Sequence, residues 1–376
     1  MFFASFAWSF TYVSLPFYIA HVSRLDAAST LRWSGWILGI SPLVTVVTGP
    51  AWGRVATRKN PKTLYIVVET LQGVGFFLMA LAESLPALFL ARLLLGVMGA
   101  ASTFAFIIAG RRGGDVRRDV AAIQSGMTVG QVLGPLAGAI AASRLGFQRS
   151  FVLGGLILWG CALLVWRAVP SPTAAGGTAR HGPTASTPDV ATVALLVLAG
   201  STQIFFLTAI LPQVLPRLGV APGDALEVGG LVIFVTGLAA ALGALVAPRV
   251  AEILGDQRGA VWLLSGSSAC LAAFALAPGV WSFGLLRFLQ VLCIAPVFPL
   301  VVAGIAQRAS GEAIGLVNSA RIGAAFLGPV VATTLLSWGP PSLVYVTLAL
   351  AALAVLPLIH RGLGTPAAGR GWPRGR

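Results

Sequence analysis

Four charged residues interrupt otherwise apolar stretches of this 376-residue chain: Glu69, Arg92, Arg287 and Arg321. A charge at the centre of a bilayer costs about 2.5–3.5 kcal/mol on insertion scales, so such groups are rarely kept there without a use. Glu69, in the stretch that begins near residue 64, is the one acid so placed. Its chemistry would be proton carrying: apolar surroundings accommodate the neutral acid, and contact with water or a cation accommodates the anion. The alternative is an acid near the headgroups, paired with Arg111 or Arg112. Arg321 lies beside Asn318 and Ser319 and reads as the deepest cation, suited to an anionic group of a ligand or to an acid across the interior. Arg92 lies near the start of its stretch and can reach an interface along its own stem; Arg287 reads as structural. The neutral groups at depth, Gln131, Gln203, Gln290 and Asn318, can hydrogen-bond a polar ligand or simply a neighbouring helix.

Other chemistries find no residues. Cys161, Cys270 and Cys293 sit in apolar stretches at unrelated positions and behave as small hydrophobes. His21, His181 and His360 fall at stretch edges or in a polar link, so no imidazole is available at depth for a metal or a hydrolytic centre. The only lysines, Lys59 and Lys62, do not follow glycine, which excludes a phosphate loop of the G-x-x-x-x-G-K type. No metal or other cofactor is expected.

The elements that must position these groups are membrane spans. Hydrophobic residues make up 57% and charged residues 10% of the chain, against about 25% charged in soluble domains. Charge-free runs long enough to cross a bilayer recur throughout, among them residues 120–143, 190–216, 228–248 and 259–286. Cutting at charges, Pro and Gly gives twelve spans, starting near residues 1, 34, 64, 87, 120, 150, 190, 228, 259, 281, 313 and 342. Three anchors share an offset to within one residue: Gly134-Pro135 with Gly328-Pro329 at 194, and Arg92 with Arg287 and Val55-Ala56 with Val250-Ala251 at 195 each. A common offset is what a duplicated unit leaves behind. The reading is an all-α integral membrane protein: a six-helix bundle over 1–169, a linker rich in Ala, Gly, Thr, Pro and Ser over 170–189, a second bundle over 190–360, and a basic tail over 361–376.

The net charge of +14 points to lipid and not to nucleic acid once its distribution is seen. With the N-terminus inside, the loops and tail on that side hold seventeen of the 25 lysines and arginines, including Arg54, Arg58, Lys59, Lys62 and Arg111. The other side holds five: Arg24, Arg32, Arg144, Arg149 and Arg217. That excess is the positive-inside pattern and sets both termini in the cytoplasm.

Gly126, Gly130, Gly134 and Gly138, four apart, occupy one face of the fifth span, and Pro135 removes one of its hydrogen bonds. This predicts a tightly packed, bendable seam, echoed at Gly328-Pro329; glycines at this spacing also serve plain packing. The aromatic residues near the start, among them Phe6, Trp8, Phe10, Tyr12 and Tyr18, either line a cavity or face lipid.

Three motifs carry a resemblance to the major facilitator superfamily. The stretch from Pro50 to Lys62, with Gly53, Arg58 and Lys59, is similar to the signature loop between the second and third spans, although the family's Asp falls on Thr57 and its later Gly on Asn60. Ala91-Arg92-Leu-Leu-Leu-Gly96 resembles the family's R-x-x-x-G motif, and the fifth-span glycines with Pro135 resemble the motif of its twelve-helix drug:proton antiporters. The resemblance implies the facilitator fold, two pseudo-symmetric bundles around a midplane cavity, and alternating access. It implies proton-coupled efflux of a small drug-like compound, with Glu69 and Arg92 in coupling. Arg321, Gln131, Gln203 and Asn318 are candidate substrate ligands, and Gly53, Arg58, Gly126, Gly130, Gly134, Pro135, Gly328 and Pro329 are candidate gating positions. The partners are then a small molecule, protons and lipid, and the place a monomeric multi-pass protein of the plasma (inner) membrane.

Two other readings stay open. The surplus of buried cations over acids favours an anionic or zwitterionic metabolite. Thr57 and Asn60, where the signature loop departs from the family, fit a non-transporting facilitator-like sensor or assembly factor. An enzyme is not expected.

Overall fold

The structure, a computed structural model, describes residues 1–111, 115–170, 187–306 and 311–358. Lipid offers no partner to backbone amides and carbonyls, so an apolar chain satisfies them within helices, and every regular element among the described residues is helical. The first six spans are Phe2–Val22, Ala27–Arg58, Pro61–Leu81, Leu85–Arg111, Val116–Leu145 and Phe147–Ala168. The second six are Val190–Arg217, Ala225–Leu254, Asp256–Ala273, Val280–Val301, Gly311–Trp338 and Pro341–Leu358. Among the described residues eleven helices are long and apolar enough to cross a membrane. Val116–Leu145 is the twelfth span, its hydropathy diluted by Gln124, Gln131 and four glycines.

The starts lie close to those read from the sequence, except that span two begins at Ala27 and not near residue 34. Asp26 caps it by accepting from the Ser29 amide at 3.0 Å, so the helix takes in the exposed Arg32. Hydrogen bonding from Ser29 also holds the Asp26 carboxyl below its ordinary range. Single glycines in the left-handed region, Gly146 at φ 86° and Gly255 at φ 73°, turn span five into six and eight into nine. Most of the linker and all of the tail lie outside the described residues, as do Arg112, Arg180, His181, Arg308 and His360.

Within the first bundle span one packs on five, two on four, and three on six; in the second, seven packs on eleven and nine on ten and twelve. The bundles meet through spans two and eleven and through spans five and eight. That meeting is confined to one end. A Cβ on Gly35 would stand 2.2 Å from Thr333 Oγ1, one on Gly39 2.8 Å from the Phe326 ring, and one on Gly230 2.4 Å from Ala139 Cβ. Val13, Leu31 and Ala139 of the first bundle share a buried cluster there with Phe206, Leu211 and Ile233 of the second. Gly53 is about five turns from Gly35, hence on the same face, yet it and Gly49 have nothing within 4 Å. A gap between the bundles is therefore sealed at the end bearing Gly146 and open at the end bearing Lys59, Lys62 and Arg111.

One ion pair crosses the sealed end among the described residues: Arg144 Nε stands 3.5 Å from Glu227 Oε1, which also accepts from Ser143 Oγ at 2.6 Å. Both partners are exposed, 76% and 41% of their side chains, and such pairs contribute about 0–1 kcal/mol. Arg144→Ala is expected to shift the melting temperature of the detergent-solubilised chain by no more than about 3 °C, measured by intrinsic fluorescence on heating.

Candidate functional site

The first and fourth spans of each bundle are broken near mid-length. Span one is interrupted at Thr11–Val13, where Pro16 offers no amide to the Tyr12 carbonyl. Span seven is interrupted at Phe206, span four between Val97 and Ala101, and span ten between Ile294 and Val297. Backbone freed in this way must find partners, and two arginines supply them.

Arg92 of span four donates through Nε to the Ile37 carbonyl and through Nη2 to the Leu38 carbonyl, both at 3.2 Å. Pro42 lacks the amide that would otherwise bond Leu38 within the helix. Arg287 of span ten donates to the Gln203 and Ile204 carbonyls at 2.9 and 2.7 Å, in the last turn before the break in span seven. It also reaches Gln290 Oε1 at 2.6 Å and Thr236 Oγ1 at 3.1 Å. A cation on the terminal carbonyls of a helix meets the negative end of its dipole as well. Each guanidinium lies 5.6 Å from an aromatic ring, Arg92 over Trp8 and Arg287 over Phe206. Tyr12, at the break in span one, lies within electrostatic reach of both.

The duplication extends to side-chain contacts. Trp8 Nε1 donates to Gln72 at 2.7 Å and Ser267 Oγ to Gln203 at 2.6 Å, and both pairs are 64 residues apart. Ser41 bonds the Arg92 carbonyl and Thr236 the Arg287 side chain, both across 51 residues. Thus Trp8 and Gln203, Gln72 and Ser267, and Ser41 and Thr236 are repeat mates. Sequence reading named Tyr12 only among the aromatics near the start and missed Ser41, Thr236 and Ser267, which the offset between Arg92 and Arg287, applied to polar residues of any type, finds.

The structure corrects several readings of the arginines. Arg92 does not reach an interface; it is 5% exposed and held by span two. Arg287 is the more enclosed cation, 0% exposed; Arg321 is exposed, its guanidinium 5.3 Å from the Phe298 ring. Gln203 is fully buried and its carboxamide is committed to Ser267 and Ser268. Gln131 and Asn318 are exposed. Gln131 falls between the face of span five that meets span one and the face that meets span eight, so it looks into the gap.

The glycine face of span five is not the surface between the bundles. Gly130, Gly134 and Gly138 press on span one, where a Cβ on Gly138 would lie 1.6 Å from the Phe10 carbonyl oxygen, at the edge of the break. Gly126 looks toward Phe2. Gly328 meets Phe205 and Phe206 at the corresponding break in span seven. The prolines face the other way: the carbonyls of Pro135 and Pro329 lie 3.3 and 3.1 Å from where Cβ atoms on Gly230 and Gly35 of the opposite bundle would stand. Each Gly-Pro pair therefore joins a broken span to the inter-bundle seam. Gly53 and the exposed Arg58 stand at the open end, and no ion pair forms at Arg58 among the described residues.

Glu69 is 0% exposed, and neither carboxylate oxygen has a hydrogen-bond partner. The pairing with Arg111 is not made, since Arg111 donates to the Ala56 carbonyl at 3.2 Å; Arg112 lies outside the described residues. The carboxyl sits inside the first bundle, near Tyr65 and Cys161, and away from the gap.

Residues 1–226 match the family described as Major Facilitator Superfamily. The uncharacterized MFS-type transporter YuxJ of Bacillus subtilis (strain 168) is 26% identical over 332 residues, 84% of this chain and 83% of that one. The multidrug resistance protein MdtG of Citrobacter koseri is 24% identical over 330 residues, 83% of this chain and 79% of that one. The crystal structure of the nucleoside transporter NupG superposes with a TM-score of 0.76 over 97% of each chain, at 14% identity, a likeness of fold alone. A family match over more than half the chain agrees with twelve spans in two repeated bundles, so the chain belongs to the major facilitator superfamily, whose members here are multi-pass membrane transporters and not enzymes.

Proposed function

We propose that the chain is a secondary active transporter that exports small organic compounds against protons by alternating access. The observation that carries this reading is the gap sealed at one end and open at the other, with the broken spans one and seven beside it. A transporter that rocks two bundles about a central site has that form in one of its two states. The likeness to a multidrug resistance protein supports export of organic compounds. The lysines and arginines at the open end favour a cytoplasmic position for that end and for both termini, in a plasma (inner) membrane. Glu69 is the proton carrier in this reading, and Arg321, Gln131 and Asn318 meet the substrate from the gap.

A second reading of the substrate has its own observation. Arg92, Arg287 and Arg321 stand in or behind the gap, while Glu69, the only buried acid among the described residues, is walled off inside one bundle. A cationic compound would meet no counter-charge there, and an anionic or zwitterionic one would meet three guanidiniums. Proteoliposomes holding a pH-sensitive dye, challenged with lipophilic cations, organic anions and neutral nucleosides, test both readings. Organic anions are expected to drive a proton flux that Glu69→Gln abolishes. Flux with cations alone would sink the second reading, equal flux in Glu69→Gln would remove Glu69 from coupling, and no flux with any class would sink the first.

A further inference from the structure

Glu69 lies out of reach of the gap, which leaves open how a proton arrives there. At the open end of the first bundle is a cavity of about 240 Å³ bounded by Tyr65, Ala109, Asp119, Ala122, Ile123 and Val165. That is room for several waters, each about 30 Å³ in the liquid. Asp119 supplies an acid on its wall. Tyr65 forms another part of the wall and stands one helical turn from Glu69, on the same face of span three. Tyr65 is 2% exposed, and its hydroxyl lies 3.4 Å from Cys161 Sγ and 3.5 Å from Met1 Sδ. These are weak partners. A hydroxyl so loosely held, between a cavity and a carboxyl with both oxygens unpartnered, is placed to turn from one to the other. Around the pair the surroundings are apolar: Val68 beside them and Ala101, Phe104 and Ala105 of span four. The titratable groups that bear on Glu69 are Tyr65 of its own span, Cys161 of span six and the amino group of Met1 in span one.

We propose that Glu69 exchanges protons with the cytoplasmic side through this cavity inside the first bundle, past Asp119 and by way of the Tyr65 hydroxyl, on a route separate from the gap between the bundles. In the releasing step the Glu69 carboxyl hands its proton to the Tyr65 hydroxyl oxygen as that hydroxyl gives its own proton to water on the cavity side. Tyr65 is unchanged at the end, and one proton has moved from Glu69 to water as hydronium; loading, from hydronium back to the carboxylate, is the reverse. The route rests on the proton coupling proposed above.

Its test reads proton access and not transport. In the full chain in detergent, infrared spectroscopy follows the protonated-carboxyl band that Glu69→Gln removes, and the rate at which it shifts after transfer to D₂O. Tyr65→Phe keeps the ring and is expected to slow that exchange by roughly a hundredfold, the low end of what a positioned acid–base group contributes. Ala109→Leu, which narrows the cavity from another wall, is expected to slow it too. Thr128→Trp, on Gln131's side of span five, is expected to leave it unchanged. Wild-type exchange in both Tyr65→Phe and Ala109→Leu, slowing by Thr128→Trp instead, or no Glu69-dependent band from mildly acidic to mildly basic pH would overturn the route. Because the exchange is read on the resting protein, a chain that moves no protons with substrate would sink the coupling while leaving this result standing.

Discussion

Arg287→Leu is expected to destabilise the chain by about 3–5 kcal/mol, the low end of what several buried acceptors left unsatisfied cost at about 1–3 kcal/mol each. Three acceptors lose their donor at once, the Ile204 carbonyl, Gln290 Oε1 and Thr236 Oγ1, and the Gln203 carbonyl keeps only the long bond from Gln290 Nε2 at 3.4 Å. No water replaces the lost donor, because Arg287 is 0% exposed. Arg92→Leu takes a donor from only the Ile37 and Leu38 carbonyls and is expected to cost about half as much, the Leu38 carbonyl alone being left without an amide by Pro42. Arg287→Lys keeps the charge but cannot fork between two carbonyls, so it is expected to recover only part of the loss. Thermal unfolding in detergent ranks the three variants. An Arg287→Leu chain that melts within a degree or two of wild type would show that the arginine is not a structural pin and return it to the list of substrate ligands.

The second large effect is conformational. Gly35 and Gly230 stand on the two separate seams of the sealed end, and a Cβ at either meets the opposite bundle well inside contact distance, at 2.2 and 2.4 Å. Overpacking costs about 1–3 kcal/mol per site. Inverting a 1:99 equilibrium takes about 5.5 kcal/mol, so the double variant Gly35→Val, Gly230→Val approaches that figure while each single one falls short. The strain is relieved by parting the bundles, since neither glycine is crowded by its own bundle. With the three native cysteines replaced and Ile210→Cys as reporter, buried in the sealed cluster, labelling by a membrane-impermeant maleimide is expected to rise by about tenfold or more in the double variant, as a shift of 1.4 kcal/mol or more requires. A folded double variant whose reporter stays shielded would show that these seams do not hold the closed end.

The repeat and the span starts were legible because they depend on composition and on one offset, and lipid leaves the backbone no alternative to helices. The contents of the site were less legible. Trp8 and Gln203 do the same work in the two bundles, presenting a polar group to spans three and nine. An indole and a carboxamide share no letter, so matching by identity passes over them. Arg287 reads as structural, with no glycine four residues on, and it makes more hydrogen bonds than Arg92. The depth of Glu69 could be counted along its span, but its isolation could not, because that depends on Arg111 turning instead to the Ala56 carbonyl. The glycines of span five announced a close approach without saying to what. One helix has several faces, and only the neighbours decide that Gly134 meets a broken span while Pro135 meets the other bundle.

The dilution of Val116–Leu145 by glycine and glutamine bears on how the protein is made. A segment leaves the translocon for lipid according to its own side chains, and this one falls short of the composition its eleven companions have. The glycines and glutamines that weaken it as a free segment are the residues that fit it against span one and the gap. Its insertion should then depend on span one being in the membrane already to receive it. A ribosome-bound chain that ends before span eight would hold it mainly by span one, since the partner on its other face has yet to be made.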